Sequence, residues 1–525
     1  MTVETKTAAG AITSINPATL EVNAEIPATP PQDIKGIVEA ARDAQARWAA
    51  MSIGKRVERL RRARDFLIAH MDDAARVITA DNGKSLVESA NSEIYPVLDM
   101  FRFCERDAPA ALAAEKVRNP VFPLARIESV NVFEPAGVVG IISPWNFPFA
   151  IPMTQMLMAL TAGNAVVFKP ASLTAWVGDW IRRMFERAGM PEGVVNVVQG
   201  AGGEIGDALL ESGLNRIAFT GSVPVGMSLM AKAARTLTPI TLELGGKDPF
   251  IVLEDADVER ASSAAVWGSF VNAGQACASV ERVYVDRRAA DVFIAAAAAK
   301  TKRLRVGNGM DPDTDMGPLI SADRLETVES HVADAVSRGA RVIAGGGRIA
   351  SLPGYFFEPT VLTGVDHSML CMTEETFGPT LPIMTFSGVE EAVALANDSK
   401  YGLTASVWSG NVSRAKQIAG RINTGTVVVN DCLLTYGFAQ CPWGGVKQSG
   451  IGRTHSVHGL YEFTNIKNLT TSRALLRQDP WWYPYSGAKY RAAKSAMKAL
   501  FGDGVLSRGG ALVDAFKAFR SNNGR

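Results

Sequence analysis

Between Val138 and Leu244 the chain repeats one pattern: a short apolar run, a turn, a stretch with helical spacing, and another apolar run. Val138 to Ile142 reads VVGII. A run this short with no polar side fits a strand covered on both faces. Ala165 to Phe168, Val194 to Val198, Arg216 to Phe219 and Ile240 to Leu244 repeat the signal, and Lys169-Pro170 ends one of them because proline cannot donate to a sheet ladder. Gly200 to Gly206 and Thr220-Gly221-Ser222 are turns that open helices. Strands alternating with helices predict an α/β fold with a doubly wound parallel sheet.

A second alternating series follows. Phe250 to Leu253, Arg282 to Val285, Arg341 to Ala344, Thr360 to Leu362, Leu381 to Phe386, Ala405 to Trp408 and Thr426 to Asn430 read as strands. Ala289 to Leu304, Glu390 to Asn397 and Ser413 to Ile422 read as helices between them. Two α/β domains are expected, with a boundary near Gly245 to Asp248. Upstream, Asp33 to Ala80 and Asn91 to Ala114 are expected to be helical, broken at Asn82-Gly83, with Phe101 and Phe103 in the core. Residues 1 to about 15 read as a loose leader. A length of 525 residues independently suggests two or three domains.

The formal net charge of +1 offers no global basic field for nucleic acid. Five cysteines, scattered and without a CxxC pair, support neither a disulfide framework nor a metal site, and fit a reducing cytoplasm. The opening MTVETKTAAG has no basic segment followed by an apolar one, so no signal peptide is expected. No apolar run approaches the roughly 20 residues of a spanning helix.

Ser269 to Ser279 reads SFVNAGQACAS and sets Cys277 between two alanines, leaving room for a substrate carbon to reach sulfur. A thiol in such a loop is a candidate nucleophile. Alone, it is as easily a small buried apolar residue. Three other stretches change the reading: PWNFP at 144–148, LELGGK at 242–247 and EETFGP at 374–379. Together and in this order they resemble the aldehyde dehydrogenase superfamily, over roughly residues 15 to 470.

The resemblance implies a hydrolytic, NAD- or NADP-dependent oxidation of an aldehyde to an acid through a cysteine thiohemiacetal and thioester. Cys277 is then the nucleophile. Asn146, with the Cys277 backbone N–H, is the oxyanion donor; an amide donates without carrying charge. Glu243 is the base, and its small or apolar neighbours would raise its pKa by desolvation. Gly221, Ser222 and Gly226 form the turn at a helix N-terminus that approaches the pyrophosphate. Lys169 is expected at the adenosine ribose, Glu375 at the nicotinamide ribose, and Phe377 near the nicotinamide, with Ser143, Trp145 and Leu244 beside the cofactor cleft. No metal is implied.

The same resemblance divides the chain into a cofactor domain (1–119 and 140–246), a catalytic domain (247–454), an oligomerisation element (120–139 and 455–471) and a basic tail (472–525). It implies homodimers or homotetramers. Several positions depart from common members. Ser172 replaces a Glu that grips the adenosine 2′-hydroxyl, which permits NADP. Gln155 and Thr454 replace a Lys and a Glu proposed to relay protons. Thr154 replaces an Arg of the succinate-semialdehyde enzymes. The expected substrate wall of Phe147, Ile151, Val271 and Trp443 is apolar, so uncharged aliphatic or aromatic aldehydes are expected. CoA-acylating semialdehyde dehydrogenases commonly lack the equivalent of Glu243, and a non-catalytic relative would lack it or Cys277; both residues are present here.

From Arg473 onward the tail carries ten Lys/Arg and three Asp, a net of +7 that leaves −6 on the rest. Trp481, Trp482, Tyr483 and Tyr485 cluster at its start, and Gly502, Gly504, Gly509 and Gly510 predict two short helices. Tyr490, Ala493, Met497 and Leu500 share one helical face, with Arg491, Lys494 and Lys498 on another. That composition suits either peripheral contact with a membrane or packing on a neighbouring subunit. The expected location is the cytoplasm, with the membrane surface as an added site.

Overall fold

A computed structural model describes residues 10–118, 127–473, 479, 481–502 and 513. These fall into two compact units, Met1–Leu112 with Glu134–Asn465, and Ala113–Phe133 with Ile466–Arg525.

The larger unit holds two mainly parallel sheets. The first has six strands in the order Gly450–Ile451, Ile240–Glu243, Arg216–Thr220, Val138–Ile142, Ala165–Lys169, Val195–Val197. Chain order reverses between Val138–Ile142 and Arg216–Thr220, which pair in parallel. Both strands' carboxyl ends open onto one crevice, the usual ligand position in a doubly wound sheet. Every residue of VVGII is buried, as its composition requires. The helix Ala150–Ala162, AIPMTQMLMALTA, is buried along its whole length. A helix apolar all round has no solvent face to offer and belongs inside.

The second sheet has seven strands in the order Arg341–Ala344, Thr360–Thr363, Thr380–Phe386, Val280–Asp286, Asp248–Val252, Thr404–Trp408, Thr426–Val429. Each sheet carries one antiparallel edge strand, Gly450–Ile451 in the first and Arg341–Ala344 in the second. Phe250 and Trp408 stack at 5.3 Å within this sheet's core.

Several expectations need correction. Ala11–Ile15 is not loose: it pairs antiparallel with Val22–Pro27, and Ile12 and Ile26 bury against Ala175. Val138 and Val139 belong to the first large sheet and not to the oligomerisation element. Gly450–Ile451 was expected with the catalytic domain but hydrogen-bonds to Glu243 and Leu242 of the first sheet. Two long helices, Val258–Phe270 and Ala322–Ser337, have no counterpart in the sequence reading. The first mixes Ser and Ala with few large apolar residues, so its periodicity is faint.

The smaller unit carries a three-stranded sheet in the order Thr464–Ser472, Ile127–Pro135, Glu115–Lys116. Its helix, Gly487–Phe501, starts at Ser486, whose Oγ accepts from Lys489 N at 3.2 Å. Positions 120–126 of the expected oligomerisation element lie outside the described residues, as do Gly504, Gly509, Gly510 and the second tail helix.

Candidate active site

The crevice at the sheet's reversal point is a cavity of about 400 Å³. Its lining includes Trp145, Asn146, Ile151, Gly221, Ser222, Glu243, Leu244, Cys277, Glu375 and Phe377. Residues from five separate stretches of the sequence therefore meet around one space.

The cysteine loop is held in unusual backbone geometry. After helix Val258–Phe270, Asn272 and Ala273 adopt φ of 52° and 54°, followed by Gly274 at 74°. Left-handed φ at two non-glycine residues is costly and needs outside support. Asn272 N donates to Glu88 Oε1 at 2.7 Å, and Asn272 Nδ2 donates to Asn146 O at 2.8 Å. Gln275 Nε2 donates to Asn272 O at 2.9 Å, while Gln275 Oε1 accepts from Ile320 N at 2.9 Å. A Cβ on Gly274 would stand 2.1 Å from Gly378 O, so this loop and the ETFGP loop pack backbone to backbone. Cys277 emerges from this frame partly accessible to the cavity.

Asn146 is buried, and its Nδ2 donates to Gln275 O at 3.0 Å. A side-chain amide has two N–H bonds, so the second is available to an oxyanion. The Asn146 backbone carbonyl oxygen accepts from Lys84 Nζ at 2.8 Å. Lys84 is fully buried and paired with Glu93 at 2.5 Å. Glu93 Oε2 also accepts Phe149 N at 3.1 Å and Ala150 N at 2.6 Å. Asn82 Nδ2 donates to Trp145 O at 2.9 Å. The PWNFP loop is thus tied along its length to residues 82–93.

A second buried pair holds the opposite wall. Lys247, the lysine of LELGGK, bridges to Glu281. Glu281 in turn accepts Thr376 N at 2.9 Å and Phe377 N at 3.2 Å. Phe377 meets Trp145 edge-on at 5.5 Å across the cavity mouth.

Glu243 ends strand Ile240–Glu243, buried, with Oε1 lacking a hydrogen-bond partner. Desolvation raises its pKa well above the carboxylate range, against the pull of Arg453 and of a hydrogen bond with Trp443. Burial also raises the Cys277 thiol, reinforced by the charges of Glu243, Glu375 and Asp248. Glu375 is pushed up to about 8 by burial and by Glu281, and its Oε1 accepts Gly246 N at 3.0 Å.

The remaining candidates divide. Ser143 Oγ is buried without a partner at the carboxyl end of Val138–Ile142, where a ligand group could meet it. A Cβ on Gly221 would stand 2.5 Å from Phe219, and one on Gly226 2.6 Å from Leu244, so this turn presents bare backbone. The orphaned hydroxyl and the bare turn at a helix N-terminus fit a dinucleotide. Lys169 Nζ donates to Pro170 O at 2.9 Å, and burial lowers its pKa to about 8. Ser172 Oγ donates to Gly200 O at 2.8 Å. Ile151 lines the cavity, whereas Phe147, Val271 and Trp443 are not among its lining residues. Phe147 lies under the Lys84 ammonium at 4.0 Å. Trp443 packs in a cluster with Ala278, Leu403, Cys277 and Tyr436. Gln155 Nε2 donates to Thr220 Oγ1 at 3.1 Å, and Thr454 exchanges backbone hydrogen bonds with Trp443.

The aldehyde dehydrogenase family model matches residues 3–469. The chain belongs to this family. A 4,4′-diapolycopene aldehyde oxidase of Methylomonas sp is 38% identical over 514 residues, covering 97% of this chain and 95% of that protein. A putative NADP(+) succinate-semialdehyde dehydrogenase of Mycolicibacterium smegmatis is 38% identical over 473 residues, 90% of each. A solved NAD+ complex of an aldehyde dehydrogenase from Bacillus cereus has a TM-score of 0.84 at 35% identity, over 88% of this chain and 93% of that one.

Sequence reasoning about this aldehyde dehydrogenase missed Lys84, Glu88, Glu93 and Glu281, which hold the motif loops from behind. It also missed Arg324, which lines the cavity from helix Ala322–Ser337. A lone charged residue reads as solvated until the fold places it against a loop or a cavity. The cysteine frame yields a test. Gly274→Ala should displace the Cys277 loop and lower aldehyde oxidation about 10²-fold, with the protein still soluble and folded by circular dichroism. Wild-type turnover in that variant would show that the backbone contact to Gly378 does not position the thiol.

Proposed function

We propose that this enzyme oxidises uncharged, apolar aldehydes to carboxylic acids, with NAD or NADP as hydride acceptor. The observation that carries the reading is the convergence of Cys277, Glu243 and Asn146 on one cavity whose other end has the bare Gly221-Ser222 turn.

Cys277 passes its proton to water in the cavity, and its sulfur attacks the aldehyde carbon, moving the carbonyl electron pair onto oxygen. The free N–H of Asn146 and the Cys277 backbone N–H stabilise the oxyanion; one such donor is worth about 2.7–4 kcal/mol of barrier. NAD or NADP bound in this cleft would supply the hydride acceptor, leaving the acyl group on the Cys277 sulfur as a thioester. Ser143, Gly221, Ser222, Gly226 and Leu244 would hold the cofactor, with Trp145 and Phe377 at its nicotinamide end, Lys169 at the adenosine ribose and Glu375 at the nicotinamide ribose. Glu243, once deprotonated, removes a proton from water, and the hydroxide releases the acid from the Cys277 thioester. Both Glu243 and Cys277 are held toward their neutral forms. One anion beside the other is unfavourable in so dry a site, so proton removal is sequential.

The hydroxyl at Ser172 faces Gly200 and presents no carboxylate to repel a 2′-phosphate. This supports use of NADP as well as NAD. The succinate-semialdehyde enzyme among the relatives is named for NADP(+), and the Bacillus cereus structure holds NAD+.

For the aldehyde itself, Thr154 shares a hydrogen bond with Tyr436, which packs edge-on against Trp443 at 5.0 Å. None of these three lines the cavity, but all are neutral, and a substrate carboxylate that reached past Cys277 to them would be unpaired. The relative whose match extends over 97% of this chain is named as an oxidase of 4,4′-diapolycopene aldehyde, and not of a semialdehyde. Assembly as a homodimer or homotetramer, cytoplasmic location and peripheral membrane contact through the tail complete the proposal.

Two measurements test it. Glu243→Gln should give a burst of one NAD(P)H per site followed by turnover at least 10²-fold slower, because acylation is separated from hydrolysis. In wild type the steady rate should rise with pH as the elevated Glu243 carboxyl ionises, and the variant should lose that rise. Unchanged turnover in Glu243→Gln would assign the base elsewhere. For substrate class, kcat/KM for hexanal or benzaldehyde, with NAD and NADP run in parallel, should exceed that for succinate semialdehyde by about tenfold or more, roughly the penalty of one poorly solvated carboxylate. A clear advantage for succinate semialdehyde refutes the apolar reading.

A further inference from the structure

We infer that the outward face of helix Gly487–Phe501 is a docking surface for an anionic lipid bilayer. This specifies the peripheral contact proposed above and is independent of the substrate assignment.

A surface helix normally turns its large apolar residues inward and its charges outward. This helix does the reverse with its apolar residues. Ala488, Lys489, Ala492, Ser495, Ala496 and Ala499 are its less exposed residues, and Lys489 Nζ donates to Trp482 O at 2.7 Å. Tyr490, Met497 and Phe501 stand out at 69%, 62% and 71% exposure, and Leu500 is exposed beside them. At 100° per residue these four, with Ala493, form one narrow ribbon. Lys494, Lys498 and Arg491 flank it on one side and Lys489 on the other. No acidic residue occurs between Trp481 and Gly502. Just ahead, Trp481, Trp482, Tyr483 and Tyr485 are also exposed.

An apolar ribbon edged by cations, beside amphipathic rings, fits a headgroup boundary: rings and methionine enter the acyl edge while the lysines reach back to phosphates. A second copy of the helix fits less well, because it would bring the same positive charges together. At 15 residues the helix is too short to span, since crossing takes about 20.

The test is co-sedimentation of full-length enzyme with phosphatidylcholine vesicles, with and without phosphatidylglycerol. Binding should require the anionic lipid and fall with salt. Lys494→Gln/Lys498→Gln should weaken partitioning about 30-fold, at about 1 kcal/mol per cation. Tyr490→Ser/Met497→Ser/Phe501→Ser should abolish it. Oxidation of a water-soluble aldehyde by each variant verifies folding. Absence of sedimentation with anionic vesicles overturns the inference, as does binding that both variants retain. If the apolar variant instead changes oligomer size in the absence of lipid, the occupant is a second copy and the lipid assignment falls.

Independently, the geometry points to Lys84 and Glu93 as positioning residues for Asn146. This rests on the oxyanion role proposed for Asn146. Lys84 donates to the Asn146 carbonyl at 2.8 Å, and Glu93 holds the next backbone donors, Phe149 and Ala150, at 3.1 and 2.6 Å. Neither is in the cavity lining, so both act through the loop. Asn146 O also accepts from Asn272 Nδ2 at 2.8 Å, so the same carbonyl ties the oxyanion donor to the cysteine frame.

A mutant cycle decides it. Lys84→Gln/Glu93→Gln removes both charges together and avoids stranding one ion. It should lower kcat about tenfold or more while KM for NAD(P) stays near wild type. Asn146→Ala should lower kcat by about 10²–10³-fold. Combining them should cost little beyond Asn146→Ala alone, since a positioning pair has nothing left to position. Multiplicative losses overturn the positioning role. Wild-type kcat in Asn146→Ala would overturn the oxyanion assignment itself.

Discussion

Two buried lysine–glutamate pairs hold the walls of this site. Lys84–Glu93 sits behind the PWNFP loop and Lys247–Glu281 behind the ETFGP loop. Burying such ions costs several kcal/mol each, and the attraction between them only roughly repays it. Well-packed apolar residues could match their stability. What apolar residues could not supply is directed hydrogen bonding to backbone in irregular loops. Glu93 takes two N–H groups at the start of a helix, Lys84 takes the Asn146 carbonyl, and Glu281 takes two N–H groups of Thr376 and Phe377. Loops with no sheet or helix partners of their own acquire fixed positions this way.

The same dryness sets the electrostatics in front of the loops. Glu243, Glu375 and Asp248 are all shifted upward, and each makes ionisation of Cys277 harder. A site crowded with ionised carboxylates would repel its own nucleophile. Burial biases all three toward their neutral forms. Donors aimed at an oxyanion are most effective in such surroundings, because little water competes with them.

The fold and the candidate site residues were legible in sequence for different reasons. VVGII declares a covered strand by composition, and PWNFP, LELGGK and EETFGP are recognisable because together they resemble the aldehyde dehydrogenase family. Cys277, Asn146 and Glu243 do line one cavity. Lys84, Glu88 and Glu93 carry no such signature. Their meaning arises only when the chain brings residues 84–93 under residues 145–150 and 272, contacts separated by tens to hundreds of positions. Phe147, Val271 and Trp443 were expected in the substrate wall on resemblance alone. The structure packs Phe147 beneath Lys84 and Trp443 beside Ala278, outside the cavity lining. Ala11–Ile15 was misread because a two-stranded edge ladder has weak alternation, and its partner 11 residues on supplies the missing hydrogen bonds.

The tail helix poses the reverse problem. Its amphipathic pattern was visible, but pattern alone does not say which face turns inward. Helical periodicity normally implies that the larger apolar face is covered, because each large side chain left in water forgoes about 1.5–3 kcal/mol. Here the less exposed side is mostly alanine, with Ala499 alone buried, and the larger apolar residues remain outside. Small residues permit a close seat while sparing the bulky ones. A helix arranged like this has its most favourable burial still to make, and the cations along the ribbon's edges bias where that burial can occur toward a surface of negative charge.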